Sequence, residues 1–197
     1  MTGSDGRAAA RALLAALKLK CEGTHDHSQR VARVSALIAG ALGLSGSQTV
    51  QVSYGALLHD IGKLATREAV LKKPGAHTHI EQLHMRLHVE AGARALTELE
   101  FPAGIVAVVL EHHERWDGLG YPHGLKGPEI SLGARIVAVA DAYDAITSDR
   151  CYRAGKSYQA AAAAITRGSG SQFDPDVVQA FFRVREEQLM RARSIHA

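Results

Sequence analysis

Apolar residues recur along this chain at intervals of three and four, the spacing of one face of an α-helix. His27, Val31, Val34, Ile38 and Leu42 share such a face. Val50, Tyr54, Leu57, Leu58 and Ile61 make the next stripe, which stops near Gly62. Leu83, Leu87, Ala91 and Ala95 form a third, ending before Pro102, and Ile105, Val108, Val109 and His112 a fourth. Ile136, Val137, Ala140 and Asp144 repeat the pattern. Near the end, "FDPDVVQAFF" offers Asp174 as an N-cap and Pro175 at the first helical position. Its helix is expected to run through Met190. No sustained period-two alternation and no hairpin turn between strand-like runs competes with this reading. The pattern predicts an all-α, single-domain helical bundle with one long irregular segment, 114–130.

Composition narrows the class. The 197 residues are enough for one well-buried core, and 46 % hydrophobic with 22 % charged residues is a globular balance. A net charge of +3 is far from a nucleic-acid coat, so DNA and RNA are not expected partners, whereas small phosphorylated anions are. The two cysteines, Cys21 and Cys151, build no disulfide framework, which points to the cytoplasm. The apolar piece "LLAALKLK" is too short for a signal peptide, and no run suits membrane insertion.

Polar residues interrupt the apolar faces at regular points. His27, His59, Asp60, His88, His112, His113 and Asp141 all fall on the inward side of predicted helices. A carboxylate such as Asp141 is costly to bury without a partner, and helices of a bundle can converge side chains on one point. Neighbours on a helix diverge by about 100°. Both members of the pairs His59–Asp60 and His112–His113 can therefore ligate only at a helix end or around more than one metal. With no thiolate in the set, mixed imidazole and carboxylate suits iron, manganese or zinc. Seven ligands exceed what one catalytic ion takes, which argues for two divalent ions about 3.5–4 Å apart.

Four stretches, "HDIGK" (59–63), His88, "HHERWDGLGYP" (112–122) and "DAYDAITSDRCYR" (141–153), resemble the HD-GYP domain of the HD phosphohydrolase superfamily. The resemblance runs from about residue 20 to 185. It implies an all-α phosphodiesterase that hydrolyses cyclic di-GMP to linear pGpG or GMP at a di- or trinuclear metal centre. It implies residues 21–190 as the catalytic domain and 1–20 as an N-terminal helix or linker, while the last residues, "RARSIHA" (191–197), read by themselves as a frayed end. His27, His59, Asp60 and Asp141 would hold one ion and His88, His112 and His113 the second, with Asp60 bridging. The ions would be iron or manganese, with zinc, nickel, cobalt or magnesium as further options. Asp60 and Lys63 would be catalytic, Lys63 contacting the scissile phosphate or protonating the leaving oxygen while a metal-bridging water or hydroxide attacks.

The same resemblance implies that Gly120, Tyr121 and Pro122 line the substrate groove and that Arg150 and Arg153 grip phosphate, a task suited to a guanidinium fork. GGDEF-type diguanylate cyclases and a second copy of the chain are the protein partners it suggests. One departure bears on the metal count. Where some members carry a Glu four residues before the first ligand histidine, this chain has Gly23, with Glu22 one residue off. A binuclear centre is therefore expected. Two alternatives stand beside the enzyme: a non-catalytic receptor or adaptor, and a hydrolase of another cyclic dinucleotide.

Overall fold

The computed structural model describes residues 4–149 and 154–193. Its helices are α1 (Ser4–Lys20), α2 (Glu22–Ala41), α3 (Gly46–Leu58), α4 (Glu68–Leu71), α5 (His79–Arg86), α6 (His88–Glu98), α7 (Ala103–Glu111), α8 (Leu132–Thr147), α9 (Tyr158–Gly168), α10 (Pro175–Arg183) and α11 (Glu186–Arg193). Two 3-10 turns, Ile61–Ala65 and Gly127–Glu129, complete the order. Among the described residues there is no strand, only an isolated bridge between Ser169 and Phe173. No described helix is long and apolar enough to cross a membrane.

Helix starts follow from local chemistry. Ser45 and Thr78 open α3 and α5 with capping boxes completed by Gln48 and Glu81. Asp174 caps α10 by accepting from the Asp176 amide, with Pro175 behind it, as the sequence predicts.

Helix α8 runs through the middle of the bundle, packing on α2, α3, α7, α9 and α10. One apolar core gathers around it and α2, with Val31, Ile38, Ile136, Tyr143, Ile165 and Phe181 fully buried. A second joins α1, α6, α7 and the first 3-10 turn through Leu17, Leu58, Leu96, Phe101 and Val109. Each such side chain contributes about 1.5–3 kcal/mol of transfer free energy. Helix α3 feeds both cores, with Val52 and Ala56 in one and Leu58 in the other.

Three expectations need correction. The stripe Leu83–Leu87–Ala91–Ala95 is not one helix face, because the chain breaks at Leu87 between α5 and α6. Leu83 and Leu87 are exposed, and the buried face is His88, Val89, Gly92, Ala93 and Leu96. The α3 stripe is narrower than expected: Val50 is exposed and Ile61 belongs to the following 3-10 turn. The last helix stops at Arg183, since Val184 takes an extended conformation that buries its own side chain. The chain then restarts as α11, where the Gln188 side chain accepts from the Arg185 amide and Leu189 is fully buried.

Candidate metal centre

Five structural positions converge. His27 projects from α2 and Asp141 from α8. His59 closes α3 and Asp60 opens the 3-10 turn that follows. His88 begins α6, while His112 closes α7 with His113 next to it. Both adjacent pairs thus sit at helix ends, where the backbone turns and neighbouring side chains can face one point.

Their imidazoles form a contiguous cluster. Ring centroids lie 5.4 Å apart for His27–His59, 4.9 Å for His59–His112, 5.3 Å for His88–His112 and 4.1 Å for His112–His113. Three overlapping groups bring one ligand-type atom from each member within 4.8 Å of the others: His27–His59–Asp141, His59–Asp60–His112 and His88–His112–His113. Asp60 lies between them. Its Oδ2 is 3.4 Å from His59 Nε2 and its Oδ1 is 3.4 Å from His88 Nε2. Oδ2 also accepts from Lys63 Nζ at 2.6 Å.

Three of these rings are anchored on their far side. His59 Nδ1 is 2.6 Å from Ala56 O, His88 Nδ1 is 2.6 Å from Met85 O and His112 Nδ1 is 2.9 Å from Val109 O. In all three the partner is the carbonyl three residues back. A proton on Nδ1 satisfies that carbonyl and leaves Nε2 as a lone pair aimed inward, the tautomer a metal-ligating histidine needs. His27 is oriented differently, with Nδ1 2.7 Å from Asp144 Oδ2 and Nε2 3.0 Å from Asp141 Oδ1. Arg30 completes this arrangement by donating from Nε and Nη2 to Asp144.

Protonation follows from these surroundings. Burial drives the pKa of His112 well below 6.5, helped by the neighbouring histidines, and that of His113 down to about 4. Burial also lowers His88. These three are neutral and ready to ligate at pH 7. Burial acts the same way on His27, but hydrogen bonds to Asp141 and Asp144 outweigh it and hold His27 at about 9. Burial opposes ionisation of Asp60 and Asp141 too. Lys63 and His59 overcome it at Asp60, and His27 overcomes it at Asp141, so both stay carboxylates. The cluster thus sets neutral His88, His112 and His113 and a protonated His27 beside the ionised Asp60 and Asp141, and it opens into a cavity of about 490 Å³.

The long loop lies against this cluster. Buried Glu114 accepts from the amides of His123, Gly124 and Leu125 at 2.7, 3.1 and 3.1 Å, tying the loop's two limbs together. Gly118, Gly124 and Gly127 take positive φ. Gly120 serves close approach instead, for a Cβ there would lie 2.4 Å from the Arg115 amide nitrogen. Tyr121 stacks on His113 at 4.8 Å with an interplanar angle of 27°, and the Arg86 guanidinium sits 4.8 Å from the same ring. Pro122 follows Tyr121 directly, and Trp116 packs beneath the Arg135 guanidinium, which lies 5.7 Å from the Trp116 ring centroid.

The structure therefore brings His27, His59, Asp60, Lys63, His88, His112, His113 and Asp141 into one cluster, with Tyr121 on its edge. Arg150 and Arg153 lie outside the described residues. Three residues were not singled out from sequence: Asp144, Arg30 and Glu114. For Asp144 a signal was available, since it lies one helical turn after Asp141 on an otherwise apolar face.

Comparisons with known proteins bear on the family and the fold. A family model described as an HD domain matches residues 11–177. A cyclic di-GMP phosphodiesterase of Thermotoga maritima is 40 % identical over 166 residues, 83 % of this chain and 45 % of its own length. The 3′3′-cGAMP-specific phosphodiesterase 3 of Vibrio cholerae is 37 % identical over 153 residues, 78 % of this chain and 33 % of its own length. The chain thus spans less than half the length of these curated relatives. In fold it is similar to Bd1817, an HDG"Y"P protein from Bdellovibrio bacteriovorus, with a TM-score of 0.64 at 21 % identity over 79 % of this chain and 50 % of that one. With the HD pair at 59–60, the paired histidines at 112–113 and the GYP loop after them, the chain belongs to the HD domain family, in its HD-GYP branch.

Proposed function

We propose that this chain is a metal-dependent phosphodiesterase unit that hydrolyses cyclic di-GMP. The observation that carries the reading is Asp60, whose two carboxylate oxygens face histidines of different groups, His59 on one side and His88 on the other. A buried carboxylate flanked in this way is the shape of a bridging ligand. His27, His59 and Asp141 would hold one divalent ion and His88, His112 and His113 a second, with Asp60 available to both. Iron or manganese suits imidazole mixed with carboxylate. Such a pair supplies Lewis acidity toward phosphoryl oxygens and a strong oxygen nucleophile at neutral pH.

The chain's own residues supply the rest. Lys63 holds its ammonium at the cavity wall, 2.6 Å from Asp60 Oδ2, where it can stabilise charge growing on the phosphate or on the departing 3′ oxygen. Water adds to phosphorus as the phosphorus–3′-oxygen bond breaks and that oxygen takes a proton, leaving linear pGpG. A second round gives GMP. The Tyr121 phenol is kept protonated by burial, so its hydroxyl remains a hydrogen-bond donor at the edge of the site. We place Gly120, Tyr121 and Pro122 along the substrate, with Arg150 and Arg153 as phosphate contacts.

A second substrate, 3′3′-cGAMP, is favoured by the name of the Vibrio relative. Chromatography of products from cyclic di-GMP, 3′3′-cGAMP and cyclic di-AMP, under identical conditions with Mn²⁺, separates the readings. Preferential conversion of cyclic di-GMP is expected. Preferential conversion of 3′3′-cGAMP would move the chain to the second substrate, and turnover of none would overturn the enzymatic reading.

A further inference from the structure

We propose that Arg193, at the end of α11, is a positioning residue for the ion group built on His27, acting through Asp144 and the last turn of α8. The inference rests on the two-ion reading and adds to it a residue remote in sequence from every candidate ligand.

Asp144 is fully buried and fixes His27 through Nδ1. It belongs to the final turn of α8, which ends at Thr147, where the Ser148 amide returns to Asp144 O at 2.9 Å. Arg193 grips this turn from outside. Its Nη2 donates to Thr147 O at 2.5 Å and lies 3.3 Å from Ser148 Oγ, and its Nε lies 3.8 Å from Asp144 Oδ1. Its guanidinium also sits 5.9 Å from the centroid of buried Tyr143. One planar fork thus satisfies a terminal carbonyl of α8 while setting a second cation, beside Arg30, against the carboxylate that orients His27.

Helix α11 is well placed to carry such a strut. Leu189 is fully buried and anchors the helix in the core around α2, and Arg193 fixes its last turn. Asp141, the carboxylate facing His27 Nε2, lies one turn earlier on α8. A loosened α8 terminus therefore disturbs both acidic contacts of His27. The His88–His112–His113 group stands at the start of α6 and the end of α7, whereas the contacts of Arg193 fall on the last turn of α8.

That asymmetry gives the test. Mn²⁺ is titrated calorimetrically into the chelator-treated chain, with each binding step assigned by its loss in Asp141→Ala or in His113→Ala. In Arg193→Gln, the step that Asp141→Ala removes is expected to weaken by about tenfold, the lower end for outer partners of metal-ligating histidines. The step that His113→Ala removes stays at its wild-type affinity, and so do both steps in Arg191→Gln, an exposed neighbour on α11. Arg193→Lys keeps the charge without the fork and is expected to recover part of the loss. Two unchanged steps in folded Arg193→Gln, or equal weakening of both, would overturn the proposal. Where Arg193→Gln fails to fold, Arg193→Lys is judged by the same criterion. Fewer than two steps in the wild type would overturn the two-ion reading itself, an outcome visible before any Arg193 variant is measured.

Discussion

Gly62 lies against the backbone of His88 so closely that a Cβ on Gly62 would fall 1.8 Å from the His88 carbonyl oxygen and 2.6 Å from the Gly92 amide nitrogen. This contact seats the turn carrying His59 and Asp60 on the helix carrying His88. Only a residue without a side chain lets Asp60 reach histidines on both sides. The glycine of HDIGK is thus a packing requirement of the site.

Gly62→Ala is accordingly expected to destabilise the fold by about 3 kcal/mol, the upper part of the overpacking range, because backbone cannot yield as a side chain can. Gly40, in the last turn of α2 with nothing within 4 Å of a Cβ, gives the opposite sign. Gly40→Ala is expected to stabilise by about 0.5–1 kcal/mol. Denaturant unfolding of the two variants checks both, and equal effects would contradict the packing argument.

The metal-free chain is expected to be most stable near pH 6.5. His27 is raised to about 9, so its contribution is complete below 6.5 and is lost as pH rises toward 9, amounting to about 3 kcal/mol. His113 is lowered to about 4, so the unfolded chain takes up its proton first and stability falls as pH drops from 6.5 toward 4. Bound metal needs neutral His27, so metal affinity rises over the alkaline range where metal-free stability falls. Melting curves across pH 5–9, with and without chelator, read this directly. A metal-free stability that climbs from pH 6.5 to 9 would contradict it.

Asp144 is held at about 2 against the cost of its burial by His27 and Arg30. Asp144→Asn keeps the shape but removes the charge that sets the His27 ring. Affinity for one of two ions is expected to fall about 10–100-fold, with the other unaffected. Metal titration followed by Mn²⁺ spin resonance distinguishes this from loss of both.

Glu114 tests the loop separately from the metals. Glu114→Ala frees three amides, and the limb carrying Tyr121 loses its tie to the end of α7. A raised KM for cyclic di-GMP at unchanged metal content is the expected result. Lost metal with unchanged KM would place Glu114 in the ion site instead.

Much of this was legible in the sequence. Helical periodicity exposed the bundle because α2, α7 and α8 bury stripes spaced at three and four. The candidate ligands stood out because imidazole and carboxylate are costly on such stripes. What stayed hidden depends on long-range geometry. The break at Leu87 arises because His88 needs its Nδ1 against Met85 O while Leu83 and Leu87 turn to solvent, and an apolar pattern cannot distinguish solvent-facing leucines. Asp144 was visible as a position on the α8 face, but its partners His27 and Arg30 lie more than a hundred residues away. Val184 ends α10 by burying itself in an extended conformation, although nothing in its local sequence forbids helix.

The most direct test measures the metal-to-protein ratio and cyclic di-GMP turnover in one preparation, purified anaerobically and supplied with Fe²⁺ or Mn²⁺, alongside Asp60→Asn. Two ions per chain with conversion to pGpG or GMP in the wild type, and loss of both in Asp60→Asn, is the predicted result. Full metal content and undiminished turnover in Asp60→Asn would contradict the shared role given to this carboxylate.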